Sequence, residues 1–287
     1  MLQVARLAPT LLGESRDLVS GFLHRSRHTD GGFRNRSGDS DLYYTVFGLE
    51  GLIALGEPIP PNTLEYLERF GDGAALDFVH LTCLARAWAS AIATGAPPDL
   101  AERLLVRLET FRSADGGYSA APGAEHGSAY ACFLAMGAAE DLRAEPRDPG
   151  GILRCLDAVR AADGAYANQP SARAGSTPAT AAAVMVLRHL DRVPDEDVTT
   201  WLLARAHHEG GFFAAPRAPL PDLLSTATAL HALAALHAPI DPLREPCLDF
   251  LDTLWTSTGG FYGSWADQVL DCEYTFYGLL ALGHLSL

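Results

Sequence analysis

A pair of glycines followed by an aromatic residue recurs along the whole chain of 287 residues. The first glycines of these pairs and of their weaker copies stand at positions 31, 71, 116, 164, 210 and 259. A period of about 40 to 50 residues is long enough for two helices and their loops. The sequence therefore predicts an array of six repeats that runs from one end to the other.

Each repeat contains two helical patterns of different character. The pattern before a glycine pair carries charged residues, as at Leu100–Phe111, whereas the pattern after it is apolar on almost every side. A helix that is apolar all round belongs in a protein interior. We therefore expect an all-α fold, an α6/α6 toroid of six helix pairs, which forms a single domain over residues 1–287. The predicted inner helices are Tyr43–Leu55, Val79–Ala93, Ser128–Ala138, Thr180–Leu190, Ser225–Leu236 and Tyr274–Leu285.

Composition narrows the range of partners and compartments. The formal net charge is −14, so a broad surface for nucleic acid or for an anionic membrane is not expected. All 21 basic residues are arginine, which leaves no lysine to act as a base or as a phosphate ligand. The five cysteines lack CxxC spacing and suit a reducing compartment. Because the N-terminal region shows neither a signal peptide nor a membrane span, we expect a cytoplasmic protein.

Aromatic residues are concentrated in the loops after the glycines and on the predicted inner helices. Tyr44, Trp265, Tyr274 and Tyr277 are the ones that we expect to contact a ligand. Aromatic faces around an apolar cavity suit a long hydrocarbon, and their negative quadrupoles stabilise a carbocation. Core packing is the alternative interpretation of each single residue.

The first repeat contains a basic cluster in an otherwise acidic protein. Arg34 and Arg36 follow its glycine pair, and guanidinium groups bind phosphate oxygens bidentately, so the cluster is a candidate diphosphate clamp. Asp39 and Asp41 come next and could carry Mg²⁺, an ion that takes few protein ligands and relies on phosphate oxygens. The alternative is a solvated loop in which the arginines pair with nearby aspartates.

Three segments of the chain resemble the prenyltransferase and terpenoid-cyclase superfamily of α/α toroids. They begin at Asp115-Gly116-Gly117-Tyr118, Leu220-Pro221-Asp222 and Thr258-Gly259-Gly260-Phe261. The similarity is strongest to the β subunits of protein prenyltransferases, in which such segments contact the isoprenoid diphosphate and bind zinc. The resemblance implies that His126 and Arg217 contact a diphosphate, and that Asp222 stands at a zinc-ligand position.

The chain departs from that family at both of its chemical motifs. Leu224 and Tyr274 replace the cysteine and the histidine that complete the zinc triad, so we expect no zinc, and Mg²⁺ is the remaining candidate ion. Of the cyclase acid motif Asp-x-Asp-Asp, only Asp222 is kept. Asp271 and Glu273 stand at the corresponding place in the last repeat, where an acid desolvated by aromatic rings could protonate an alkene. Cyclases of this kind also build their cavity against a second helical domain, for which this chain has no room.

Two functions are consistent with these patterns. The first is an isoprenoid-processing enzyme that holds a prenyl diphosphate or polyene and directs carbocation chemistry, either prenyl transfer or terpene cyclisation. Its expected catalytic residues are Asp222, Asp271 and Glu273. The second is a catalytically degenerate toroid that binds an isoprenoid, a lipidated peptide or a protein partner without turnover. A protein partner or a homodimer is compatible with either function.

Overall fold

A computed structural model of the protein describes residues 1–93 and 95–287, and helices make up most of its regular structure. The predicted all-α class is confirmed. Two pairs of two-residue strands are added, β1 (Phe33–Arg34) with β2 (Ser40–Asp41) and β3 (Phe212–Phe213) with β4 (Pro221–Asp222), both antiparallel. The helices are α1 (Leu2–Ala5), α2 (Pro9–Leu12), α3 (Arg16–Arg25), α4 (Leu42–Ala54), α5 (Thr63–Glu68), α6 (Phe78–Ala91), α7 (Pro98–Glu109), α8 (Ala129–Asp141), α9 (Pro149–Ala158), α10 (Thr177–His189), α11 (Glu196–Leu203), α12 (Leu223–Ala235), α13 (Arg244–Leu254) and α14 (Cys272–Leu285).

The helices that follow the glycine signals begin at an aspartate or a serine. These residues cap α4, α6, α8, α10, α12 and α14, and each side chain accepts a backbone N–H from the first turn. The apolar surface of these helices is largely buried, most completely in α14, where every residue from Thr275 to Leu285 is buried. The predicted apolar helices are therefore confirmed close to their predicted positions. Their arrangement as six pairs in a ring stays a prediction.

The described residues form two compact units. In the unit made of Met1–Thr63 and Leu202–Leu287, α14 packs against both α4 and α12. In the unit Leu64–Trp201, α8 packs against both α6 and α10. Organisation of residues 1–287 as one domain stays a prediction. Among the described residues, none of the helices combines the length and the apolar character that crossing a bilayer requires.

Each glycine pair ends a tight turn, and in the last repeat this turn brings the backbone against a neighbouring helix. In the last repeat, Thr256 donates its backbone N–H to the carbonyl oxygen of Gly260 across the turn. Gly259 has a φ of +95°, and a Cβ atom at this position would overlap the carbonyl oxygen of Leu18 in α3. Close approach of two backbones, together with a positive φ, therefore requires glycine here.

The buried His284 on α14 pairs with the partly buried His231 on α12. The Nδ1 atom of His231 lies 2.9 Å from the Nε2 atom of His284. Burial lowers the pKa of His231 to about 3 and that of His284 to about 4, from an ordinary value of 6.5. Both rings are therefore neutral in the folded protein at neutral pH, whereas the same residues in the unfolded chain bind protons below pH 6.5.

This histidine pair is expected to make the folded state less stable as the pH falls. Between pH 6.5 and pH 4.5 the unfolded state binds more protons at His231 than the folded state does, so the free energy of unfolding decreases with decreasing pH. Proton binding at His231 alone is expected to lower the free energy of unfolding by about 2 kcal/mol over that pH interval. Urea unfolding of the wild type and of His231→Gln at several pH values measures the difference. A wild type and a variant with parallel pH profiles would contradict the assignment.

Candidate active site

Glu273 lies in the first turn of α14 and is largely buried. The hydroxyl group of Tyr43, on α4, donates a hydrogen bond of 2.6 Å to its Oε1 atom. Burial raises the pKa of Glu273 from 4.5 to about 7, and the hydrogen bond from Tyr43 acts in the opposite direction. This carboxyl group therefore retains its proton in a substantial fraction of molecules at neutral pH, as an acid catalyst requires.

Aromatic rings from α4 and α14 form a cluster that contacts this acid through Tyr43. The ring centroids of Tyr43 and Phe47 are 5.0 Å apart, and those of Phe47 and Tyr277 are 5.5 Å apart. Tyr44 packs edge-on against Tyr43, at 5.6 Å. Tyr43, Tyr44 and Phe47 each keep part of their surface exposed, although they belong to a largely buried helix. The unit thus presents partly exposed aromatic rings beside a carboxyl group whose pKa is raised.

Arg36 connects the first repeat to the last. Its Nε atom donates to Oδ2 of Asp271 at 2.8 Å, and its NH2 group lies 2.9 Å from Oδ2 of Asp267. The same guanidinium lies over the ring of Tyr274, 5.4 Å from the centroid. The Asp271 side chain is 2% exposed, and burial raises its pKa, while its bonds to the backbone and to Arg36 lower it. Two carboxylates therefore neutralise the charge of Arg36, which the sequence predicts to bind diphosphate.

The remaining charged residues of the first repeat hold the loop and the start of α4. The side chain of Arg34 donates to the backbone carbonyls of Arg27 and Gly38. The Oδ1 atom of Asp41 accepts the backbone N–H groups of Tyr43 and Tyr44, so this carboxylate caps α4. Asp39 is exposed. The assignments of Arg34 to a diphosphate clamp and of Asp39 and Asp41 to Mg²⁺ stay predictions.

Comparison with known proteins identifies the family. The sequence matches the prenyltransferase alpha-alpha toroid domain over residues 12–85 and 163–285. The chain belongs to this family. No curated protein matches the sequence.

Solved structures with several activities share the toroid fold. A variant of the type II terpene cyclase MstE from Scytonema, in complex with the substrate geranylgeranyl dihydroxybenzoate, aligns with 97% of this chain and 97% of its own, with a TM-score of 0.63 and 14% identity. Protein geranylgeranyltransferase-I from Candida albicans, complexed with GGPP, covers 99% of this chain and 81% of its own, with a TM-score of 0.52 and 14% identity. A glycosidase variant covers 99% of this chain and 96% of its own, with a TM-score of 0.56 and 13% identity. At these identities the likeness shows the fold alone.

Asp222 caps the start of α12, and its catalytic role stays a prediction. Its Oδ1 atom accepts the backbone N–H of Ser225 at 2.7 Å, and its Oδ2 atom accepts the Ser225 hydroxyl at 2.8 Å, so it caps α12. Burial raises its pKa. Leu224 offers no donor atom to a metal, and Tyr274 lies beneath Arg36. The residues at the three zinc-ligand positions therefore do not fit a zinc ion.

Three further residues predicted to bind substrate have neighbours of other kinds. His126 belongs to the unit Leu64–Trp201, and its Nδ1 atom is 3.7 Å from Oδ2 of Asp115. Arg217 is exposed between β3 and β4. The Nε1 atom of Trp265 donates to the hydroxyl of Thr253 on α13. None of these contacts places the three residues beside Glu273, and their role in binding stays a prediction.

Two members of the site were missed as site residues in the sequence. Nothing in the sequence separates Tyr43 from the other aromatic residues of its repeat, and Asp267 lies in an irregular loop before α14. Their partners are far away in the chain, since Tyr43 and Glu273 are separated by 230 residues and Arg36 and Asp267 by 231. One feature of the sequence could have identified these contacts: closure of the predicted ring of repeats places the first repeat beside the last.

Proposed function

We propose that the protein is a terpene cyclase that starts ring formation by protonating an isoprenoid polyene, with Glu273 as the acid. The observation that carries this proposal is a largely buried carboxyl group whose pKa is raised to about 7, located beside partly exposed aromatic rings. General acid catalysis is most effective when the pKa of the acid lies near the working pH. Cyclisation by MstE, a type II terpene cyclase of the same fold, is consistent with this chemistry.

The charges around Glu273 favour protonation over prenyl transfer. Transfer begins with departure of a diphosphate, which requires cations that balance the developing negative charge. Arg36 is engaged by Asp267 and Asp271, and the positions of the zinc ligands cannot hold zinc. A proton-initiated reaction needs neither group, because the diphosphate or other head group of the substrate remains attached.

The proposed reaction uses a small number of residues. Glu273 donates its proton to the terminal double bond of the folded polyene, and the resulting tertiary cation is attacked by the next double bond. The rings of Tyr44, Phe47 and Tyr277 stabilise the successive cations through their quadrupoles. The last cation loses a proton, and the glutamate regains one from solvent. Asp271 and Asp222 cap α14 and α12, and so keep these elements in place.

Tyr43 is assigned as the residue that positions the acid. Its hydroxyl donates to Oε1, which leaves Oε2 to carry the transferable proton. Because a hydrogen bond to a carboxylate favours the charged form, Tyr43→Phe is expected to raise the pKa of Glu273 above about 7. In the pH–rate profile, the decrease of activity at high pH then shifts to higher pH. The maximal rate is expected to drop about tenfold, because the carboxyl group of Glu273 is no longer held in position. A pH–rate profile measures both effects, and a slower variant whose decrease at high pH does not shift would contradict the assignment.

A panel of isoprenoids tests the proposed function. The purified protein is incubated with farnesyl diphosphate, geranylgeranyl diphosphate, squalene and geranylgeranyl dihydroxybenzoate, with and without Mg²⁺ or Zn²⁺. Gas chromatography or liquid chromatography with mass spectrometry then detects any cyclic product of unchanged mass. Such a product, formed without an ion, is the expected result. Retention of intact ligand without turnover would instead support the binding-only alternative, and free diphosphate would support transfer.

A further inference from the structure

The fifth glycine turn contains three potential metal ligands in succession. His207, His208 and Glu209 each offer one donor atom, and these atoms all lie within 4.8 Å of one another. Within residues 1–93 and 95–287, no other group of three or more histidine, cysteine or carboxylate side chains has its donor atoms within 4.8 Å of one another. It does not include any residue assigned above to the proposed reaction.

The other repeats show what the same turn requires. In the first, third and fourth repeats, the acid before the glycine accepts the backbone N–H two residues later: Asp30 from Gly32 at 3.0 Å, Asp115 from Gly117 at 3.1 Å and Asp163 from Ala165 at 3.3 Å. Glu209 occupies the same position in the fifth repeat. Its carboxylate forms no hydrogen bond or ion pair with any of the described residues. The turn therefore forms without help from this side chain, which is left free for a ligand.

The backbone of the fifth turn is held as firmly as that of its counterparts. His207 donates its N–H to the carbonyl of Gly211 at 2.9 Å, and Gly210 donates to the carbonyl of His207 at 3.0 Å. The His207 ring packs edge-on against Phe213, with 5.3 Å between centroids, and lies 4.3 Å from the ring of His208. One imidazole is thus fixed by packing, while His208 and Glu209 are exposed and able to rotate toward it.

We propose that His207, His208 and Glu209 bind a divalent transition-metal ion of the zinc, nickel or copper class. Two imidazoles and a carboxylate form a ligand set that suits these ions. Ligand atoms around tetrahedral zinc are about 3.4 Å apart. Rotation of the two exposed side chains therefore needs to move their ligand atoms by only about one to two ångströms to complete the site. Only three ligands come from the protein, and the remaining positions stay open to water or to an anionic group.

Equilibrium dialysis with Zn²⁺ tests this site without reference to catalysis. The wild type is expected to bind one ion per chain at micromolar concentrations, and His208→Ala and Glu209→Gln are each expected to weaken binding at least about tenfold. Both residues are exposed, so the variants should fold normally, and circular dichroism checks this. His189→Ala, which removes an exposed histidine from α10, serves as the matched control and should bind like the wild type.

A second readout places the ion at this turn. The Trp265 ring centroid is 6.4 Å from that of His207, so Cu²⁺ bound at the site should quench the emission of this tryptophan. The quenched component is expected to disappear in Trp265→Phe and to require a much higher Cu²⁺ concentration in His208→Ala. Equal affinity of His208→Ala, Glu209→Gln and wild type for Zn²⁺, or quenching that persists unchanged in His208→Ala, would overturn the proposal.

Discussion

Glu273→Gln is expected to slow ring formation severely while the protein still folds and still retains its isoprenoid ligand. Glutamine preserves the shape of the side chain and accepts the Tyr43 hydrogen bond, but it cannot donate an acidic proton. Loss of a general acid lowers the rate by about 10²- to 10⁴-fold. Product formation from the best substrate of the panel, together with ligand retention by the variant, measures the two properties separately.

The same substitution should increase stability above neutral pH. Because the folded-state pKa of Glu273 is raised to about 7 from 4.5, the folded state binds more protons than the unfolded state in this range. The free energy of unfolding therefore falls as the pH rises from 4.5 through 7, by an amount that approaches about 3 kcal/mol at most. Glu273→Gln removes this penalty, and urea unfolding at pH 8 should show a more stable variant.

A control distinguishes these effects from general changes in surface charge. Glu125 carries a side chain that is 86% exposed, and Glu125→Gln is expected to change neither the rate nor the pH dependence of stability. If Glu273→Gln retained wild-type turnover, the assignment of the acid would be wrong. If it lost turnover but was not more stable than the wild type at pH 8, the pKa of Glu273 would not be raised in the folded state.

Gly259→Ala is expected to destabilise the protein far more than Gly38→Ala. The two glycines have nearly the same φ, +95° and +94°, so a Cβ atom causes similar backbone strain at both positions, about 1–2 kcal/mol. At Gly259 the added atom also overlaps the carbonyl of Leu18, whereas at Gly38 nothing lies within 4 Å. Overpacking of this kind adds about 1–3 kcal/mol. Urea denaturation of both variants measures the difference.

This pair of variants tests the structural reason for the repeated glycine signal. A much larger loss at Gly259 would show that the turn packs its backbone directly against α3. Equal losses would mean that the backbone conformation alone selects glycine, and that the close approach to Leu18 contributes nothing to stability.

The sequence predicts the helices well because their patterns are local. A long apolar segment after each glycine pair allows few alternatives to a buried helix, and the six such helices lie close to their predicted positions. It is harder to tell from the sequence whether an acidic residue caps a helix or acts in catalysis. Asp222 and Asp271 have the residue types and positions expected of catalytic acids, and the structure shows that both also cap the helices that follow them. Their catalytic roles stay predictions.

The candidate site depends on contacts that a single sequence does not display. Glu273 was identified because an acid among aromatic residues at a helix start suggests a raised pKa. Its partner Tyr43 could not be selected from the other aromatics, since the contact joins α4 to α14. Arg36 illustrates the same difficulty: it pairs with aspartates, as the alternative interpretation of its loop suggested, but with Asp267 and Asp271 of the last repeat instead of the nearby Asp39 and Asp41.

The most direct test of the proposed mechanism is the reaction in D₂O. Protonation of the terminal double bond by Glu273, whose acidic hydrogen exchanges with solvent, adds one deuterium to the olefinic CH carbon of the last isoprene unit. This carbon becomes a ring methylene group next to the carbon that carries the two methyl groups. The cyclic product should therefore be one mass unit heavier than the product formed in H₂O, and its head group should be intact. A product without deuterium at that methylene group, accompanied by release of diphosphate, would contradict proton-initiated cyclisation and would point to ionisation of the substrate.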